Sequence, residues 1–153
     1  MVFEFILWLI AFYILMSLAE YVLHRYTMHQ RFFRHKKLAW IFEDHHISHH
    51  KHDDYTKNID LPMWYHLVLS SPMIAILLIY SWIGLSAWLC IAFYHSYLWT
   101  KAHRAIHGLE DNWMTKWLFY YQIRDHHIKH HSHVNKNYGV CFFWCDRLFG
   151  TKI

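Results

Sequence analysis

Apolar and polar residues alternate along this chain in long blocks, not in the short periods of a soluble amphipathic fold. Residues 5–23 are apolar except for Ser17 and Glu20. At 1.5 Å per residue this block reaches about 28 Å, close to the ~30 Å of a bilayer hydrocarbon core. It predicts a membrane helix. A secretory signal would begin with basic residues, and this block begins beside Glu4. Residues 25–60 are polar and rich in histidine, and residues 61–100 are apolar again. The second apolar block is too long for one crossing. Its break near Ile83-Gly84-Leu85 predicts helices over 62–83 and 85–99, the second continuing toward His103 and the first kinked by Pro72. Trp64, Tyr65, Trp82, Trp88, Tyr97 and Trp99 suit interfacial aromatic belts. Residues 113–123 are apolar but short and broken by Lys116, which predicts an interfacial helix lying on the membrane, with a re-entrant segment as the alternative.

The expected fold class is therefore all-α integral membrane. About three transmembrane helices and an interfacial helix carry a histidine-rich helical cap. With 4 Gly and 2 Pro, no flexible linker divides the 153 residues, so 1–153 is taken as one domain. Charge orients it. Every Lys and Arg lies between Arg25 and Lys57 or between Lys101 and Lys152, and the gaps coincide with the apolar blocks. The positive-inside rule puts both basic regions in the cytoplasm, with the N-terminus on the far side. That pattern replaces a nucleic-acid patch as the reason for the net charge of +4, and no nucleic-acid partner is expected. The cysteines are Cys90, Cys141 and Cys145; the number is odd and two of them lie in a segment assigned to the cytoplasm, so no structural disulfide is expected. Cys141-x3-Cys145 lacks the partner pair that a zinc site would need.

The chemistry lies in the histidines. Ten of the 17 fall into four clusters: His24-x4-His29, His46-x2-His49-His50, His103-x3-His107 and His127-x2-His130-His131. Neutral imidazole is the commonest protein ligand for transition metals, and one ion needs three or four ligands, so ten suit two ions. Positions i, i+3 and i+4 share a helical face, so His46, His49 and His50 can meet at a common point, as can His127, His130 and His131. His24 and His29 are about 140° apart on a regular helix. Either the helix ends near 26–28, or the two serve different metals. Glu20, Asp44 and Asp125, with His45 and His126, are candidates to orient the ligand imidazoles from behind. His35, His52, His66, His95 and His133 are read as surface or hydrogen-bonded residues, with His66 and His95 bonding to backbone or facing a pocket. Asp53, Asp54, Asp60, Glu110 and Asp111 are read as solvated or capping groups. Three crossings bring all four clusters to one membrane face.

These spacings resemble the fatty acid hydroxylase / sterol desaturase superfamily of membrane di-iron histidine-cluster oxygenases. The pair His103-x3-His107 followed by Gly108, and the run Asp125-His126-His127-Ile128-Lys129-His130-His131, look especially like its fatty acid 2-hydroxylase branch. Asn137-Tyr138-Gly139, then Trp144-Cys145-Asp146-Arg147-Leu148-Phe149-Gly150-Thr151, is similar to that family's C-terminal ending, with Cys145 interrupting the usual Trp-Asp pair. The resemblance implies that the ten clustered histidines bind two iron ions, with zinc a possible substitute in purified protein. It implies O2 and an external electron donor (cytochrome b5, ferredoxin or similar), and a C-terminal motif packed beneath the histidines. The expected reaction is hydroxylation of a lipid C–H bond, fatty acyl or related.

A desaturase or a carotenoid or sterol hydroxylase on the same scaffold is the alternative within the enzyme class. A metal transporter or storage protein is the alternative outside it. Transport needs ionisable groups along a membrane path, and residues 7–15, 73–80 and 87–93 contain neither charge nor histidine. Trp64, Tyr65, Trp99 and Trp113 are candidate linings of an acyl cleft.

Overall fold

The first apolar block contains no glycine or proline and folds as helix α1, Val2–Val22. Its axis continues without interruption into a π-helical stretch, Leu23–Met28. The whole run, Val2–Met28, is 27 residues, about 40 Å, and long and apolar enough to cross a membrane. The computed structural model describes residues 1–30, 45–51, 54–55, 57 and 60–153. Among these residues every regular element is helical.

Helix α2, His45–Lys51, carries the second histidine cluster. The second apolar block gives three helices where the sequence pattern predicts two. Helices α3 (Met63–Leu69) and α4 (Ser71–Tyr80) meet at Ser70 with a bend of 74°. Pro72 sits in the first turn of α4 instead of kinking a continuous helix. It has no N–H to return to the preceding helix, so the hydrogen-bond ladder breaks at that junction. The next turn falls at Ser81, not at 83–85. The Ser81 side chain caps α5, Trp82–Ile106, by accepting from the Gly84 N–H at 3.0 Å. Gly84 is a packing residue: a Cβ there would stand 3.0 Å from Leu77 and 3.2 Å from Trp8, where α1, α4 and α5 converge. As predicted, α5 runs on through His103.

The expected interfacial helix over 113–123 is not one element. Asn112 Oδ1 accepts from the Met114 N–H at 2.9 Å and opens a short 3-10 turn, Trp113–Lys116, with Met114 fully buried. A new helix, α6, starts at Tyr120 and runs to Ser132 through the last histidine cluster. A short helix α7, Trp144–Leu148, closes the chain.

Packing divides the molecule along its length. At one end Phe12 and Met16 of α1 meet Leu77 of α4 and Leu85, Trp88 and Ala92 of α5. At the other, Leu98, Trp99, Ala102 and Ile106 of α5 pack on Met114, Tyr120, Ile123 and Val140. Alanines 87, 92 and 102 are fully buried on α5 and let neighbouring backbones approach. The outer surface of the first end is apolar: Ile6, Leu7, Ile10 and Ile14 of α1, Ile76 and Ile79 of α4, and Leu89 and Phe93 of α5 are all exposed.

Candidate metal centre

The four clusters converge, but each HxxHH helix divides its histidines between two groups. The first group is His24, His29, His46, His50 and His130; the second is His49, His103, His107, His127 and His131. Within each group the ligand atoms lie within 4.8 Å of one another. At 100° per residue, positions i and i+4 are about 40° apart and i+3 falls on the other side. His46 and His50 therefore point together and His49 diverges. In α6 the same geometry sends His127 and His131 to the second group and His130 to the first. The expected common point for each cluster is replaced by a five-and-five partition.

His24 and His29 belong to one group. The π-helical stretch that begins at Leu23 widens the turn so that residues five apart come into register. Their Nε2 atoms are 3.2 Å apart. The α-helix gives way here, but to a π-helix and not to coil.

The nitrogens confront one another directly. His24 and His46 Nε2 atoms are 2.9 Å apart, those of His29 and His46 2.8 Å, and those of His29 and His130 3.0 Å. In the second group the Nε2 of His127 lies 3.1 Å from both His107 and His131, and His103 is 3.2 Å from His49. A neutral imidazole has one N–H, so several Nε2 atoms around one point cannot all be satisfied by each other. Ligands about 2.0–2.1 Å from a shared ion would stand roughly 3 Å apart, which these spacings match. Two backbone carbonyls set the ring forms. His24 Nδ1–H donates to the Tyr138 carbonyl, and His130 Nδ1–H donates to that of Lys136 at 2.6 Å. Both rings then present a bare Nε2 lone pair to the group centre. Both nitrogens of His50, and Nδ1 of His103 and of His127, are buried without a hydrogen-bond partner among the described residues. The donor set fits a transition-metal ion in each group.

Burial keeps the rings neutral. It pushes His29 and His107 down to about 3, with neighbouring imidazoles adding to the effect. His46, His127 and His130 are held well below the usual histidine value for the same reasons. Neutral imidazole is the ligating form.

The C-terminal motif supports this centre from beneath. Asp146 is fully buried and accepts from the Tyr138 and Gly139 N–H groups, both at 2.8 Å, from Thr151 at 2.7 Å and from His126 Nε2 at 3.0 Å. A Cβ on Gly139 would collide with the Phe142 carbonyl. Asn137 holds a left-handed φ of 56° and donates to the His126 carbonyl at 3.1 Å. The Tyr138 carbonyl that receives His24 is fixed by this network.

Three candidate orienting residues act elsewhere. Asp125 is exposed and pairs with Lys129 at 2.9 Å, one turn along the outer face of α6. His126 points away from the ligands to Asp146. The hydrogen bonds of Glu20 go elsewhere than His24: its carboxylate accepts from His95 Nε2 at 2.6 Å and from the N–H groups of Val140 and Cys141 at 2.5 and 3.0 Å. Asp44 and the side chain of His45 lie outside the described residues, as do His35, His52 and Asp53. Asp60 is solvent-exposed, as expected, and pairs with Arg104 at the surface; Glu110 is half-buried and pairs with Lys101. Cys141 joins Glu20 and His95 in a third buried group, whose carboxylate is already taken up by hydrogen bonds. Cys145 packs separately against Tyr21 and Tyr138. Tyr55, not singled out by spacing, stacks on His107 with ring centres 4.3 Å apart.

A mostly apolar cavity of about 190 Å³ opens beside the histidines. His24 and His46 of the first group and His103 and His127 of the second all line it, together with Leu69 and Trp88. Tyr65 and Trp99 are on its wall, whereas Trp64 and Trp113 are exposed. Cavities of ~150 Å³ hold a benzene ring, so this one suits a segment of hydrocarbon.

No curated protein and no solved structure matches the chain. The model of the family described as "Fatty acid hydroxylase" matches residues 9–151. That match runs from within α1 to Thr151 and takes in both histidine groups and the motif beneath them, and the chain belongs to the fatty acid hydroxylase family.

Proposed function

We propose that the chain is a multi-pass membrane oxygenase that hydroxylates a C–H bond of a lipid, with O2, at two iron ions. The reading is closest to the fatty acid 2-hydroxylase type. The observation that carries it is the cavity: one apolar space is lined by ligands of both five-histidine groups. His24, His29, His46, His50 and His130 would hold one ion, and His49, His103, His107, His127 and His131 the other. Iron held there would supply the redox chemistry for O2, which zinc on the same ligands lacks.

The protein's own groups position and exclude. Met16, Leu23, Leu69 and Trp88 hold a hydrocarbon segment against the histidines and keep water from it. The carbonyls of Tyr138 and Lys136 hold two ligand rings in the ligating form. Hydroxylation consumes O2, two electrons and two protons and yields the alcohol and water, so an electron-transfer protein such as a cytochrome b5 or a ferredoxin is the expected partner. α1, the bent α3–α4 pair and α5 would make the three crossings, with the histidine groups on the cytoplasmic face where the basic residues cluster.

The test is expression in a host of defined lipid content, comparing lipids from the active chain with those from His49→Ala. The expected result is a lipid one oxygen heavier, present with the active chain and absent with the variant. A product two hydrogens lighter would make the chain a desaturase. Identical lipid profiles, with two ions bound and the candidate lipids present in the host, would overturn the oxygenase reading.

A further inference from the structure

The C-terminal motif has an outer face that the metal ligands do not use. Leu148 and Phe149, 66% and 47% exposed, form its apolar centre. Arg147 and Lys152 are exposed beside them, and Arg25 and Lys136 are half-buried. Lys136 Nζ donates to the Gly150 carbonyl at 3.3 Å. Arg25 Nη1 donates to the Tyr21 hydroxyl at 2.7 Å, and that hydroxyl meets Thr151 at 3.1 Å. The segments that build this face, residues 21–28 and 133–153, carry one acidic side chain, Asp146, and it is fully buried. From Phe149 a line of rings leads inward. Phe149 stacks on Tyr21 with ring centres 5.0 Å apart, and Tyr21 meets Tyr138 at 5.6 Å. Tyr138 in turn lies 5.8, 5.7 and 5.7 Å from His24, His29 and His130, three ligands of the first group. Tyr55 touches the second group instead, and beside it Asp54 offsets Lys57 at 3.0 Å.

We propose that this face docks an acidic one-electron carrier protein, which reduces the first group by way of Phe149, Tyr21 and Tyr138. The inference rests on the oxygenase reading above, whose two electrons must come from outside the chain. An apolar centre inside a charged rim is the anatomy of a protein interface. Arg25, Lys136, Arg147 and Lys152, gathered around a single buried carboxylate, select a partner rich in Asp and Glu and steer its approach. Lipid headgroups would answer the charge, but a line of packed rings that ends on metal ligands serves an electron: it leaves only short gaps to tunnel across. Each visit moves one electron and breaks no bond. The reduced centre of the carrier is oxidised by one electron, and a ferric ion in the first group becomes ferrous. Two visits supply the two electrons that hydroxylation consumes.

The test uses the full chain in phosphatidylcholine nanodiscs, with two acidic carriers as probes: the soluble domain of a cytochrome b5 and a plant-type ferredoxin. With zinc in both groups, carbodiimide cross-linking of carrier carboxylates to the chain should map to Lys136 and Lys152. Arg147→Glu and Lys152→Glu together should weaken binding roughly tenfold, as should high salt, whereas Lys116→Glu on the 3-10 turn should have no effect. With ferric iron loaded and O2 excluded, the reduced carrier should be reoxidised by wild type and by the chain lacking His103 and His107, but not by the chain lacking His46 and His50. The docking face is overturned if neither carrier binds, if cross-links fall only on other lysines, or if binding survives the double charge reversal. Shielding of Lys136 and Lys152 from acylation before any carrier is added also overturns it, since the face would then lie against lipid headgroups. Reoxidation that persists without His46 and His50, or is lost without His103 and His107, overturns the route. Binding to the zinc-loaded chain requires no turnover, so it can be seen even where the lipid comparison with His49→Ala fails.

Discussion

Asp146 organises more of the centre than any single ligand, although it touches none. Four donors converge on its buried carboxylate, and two of them fix the loop whose carbonyl holds His24. Asp146→Asn replaces an acceptor oxygen by a donor and leaves partners unpaired. The expected cost is roughly 2–4 kcal/mol, with weakened metal retention, read from denaturation in detergent and metal analysis. Burial alone would raise this carboxyl, but hydrogen bonds from His126, Gly139, Thr151 and Tyr138 outweigh it and hold it below the usual carboxylate value. Its contribution to stability is therefore complete above the unfolded value of about 4 and lost as pH falls through the folded one. Wild-type protein should show this acid limb in its denaturation midpoint as pH falls below about 4, and Asp146→Asn should show less of it. Gly139→Ala tests the same loop sterically. The new methyl meets the Phe142 carbonyl, backbone that cannot swing aside, so a loss of about 1–3 kcal/mol is expected in the same assay.

At the scale of elements, the HxxHH spacing is a device for serving two sites from one helix. The i, i+4 pair goes to one group and the intervening residue to the other, and α2 and α6 do this in opposite senses. Metal analysis of paired alanine variants tests the partition. Removing His46 and His50 together should leave one ion of two, as should removing His103 and His107. Combining the His103/His107 pair with His127 and His131 should still leave one, because all four serve the same group. Combining it with His46 and His50 should leave none. If each cluster held its own ion, those two combinations would not differ. The clusters themselves were legible because ligand spacing is local: three or four residues along a helix decide which rings meet. Their division was not, since it depends on how α2 and α6 face each other. The union of His24 and His29 was hidden because a π-helix is stabilised by its surroundings, not by residue type. Pairings such as Glu20 with His95, 75 positions apart, leave no periodic mark, and so a carboxylate one turn from His24 was assigned to the wrong imidazole. The bend at Ser70 was misplaced for a different reason. Proline and glycine mark breaks, but whether Pro72 starts a helix or kinks one depends on its neighbours.

At the scale of the whole molecule, polarity is inverted along part of the length: the polar groups of the centre are inside and the large apolar side chains are outside. His46, His49, His103, His127 and His130 are buried, while Ile10, Ile14, Ile76 and Ile79 are not. In water such a surface would be a liability, since contiguous exposed apolar patches of this kind mark membranes or partners. In a bilayer it is the outer face of the fold, and α4 of the bent α3–α4 pair supplies Ile76 and Ile79 to it. Ile79, 77% exposed on α4, separates the two situations in one substitution. On a water-facing helix, Ile79→Asp would be neutral or would improve solubility, because it exchanges an exposed hydrocarbon for a charge. In the hydrocarbon region it carries an insertion penalty of roughly 3 kcal/mol. The expected result is a sharp drop in membrane-integrated protein that resists alkaline extraction, with Ile79→Leu unchanged. Lys152→Asp, beyond the last helix, should be without effect on integration. If Ile79→Asp integrates as well as wild type and gains solubility without detergent, α4 does not cross a bilayer, and the apolar face of α1, α4 and α5 must be covered by something else.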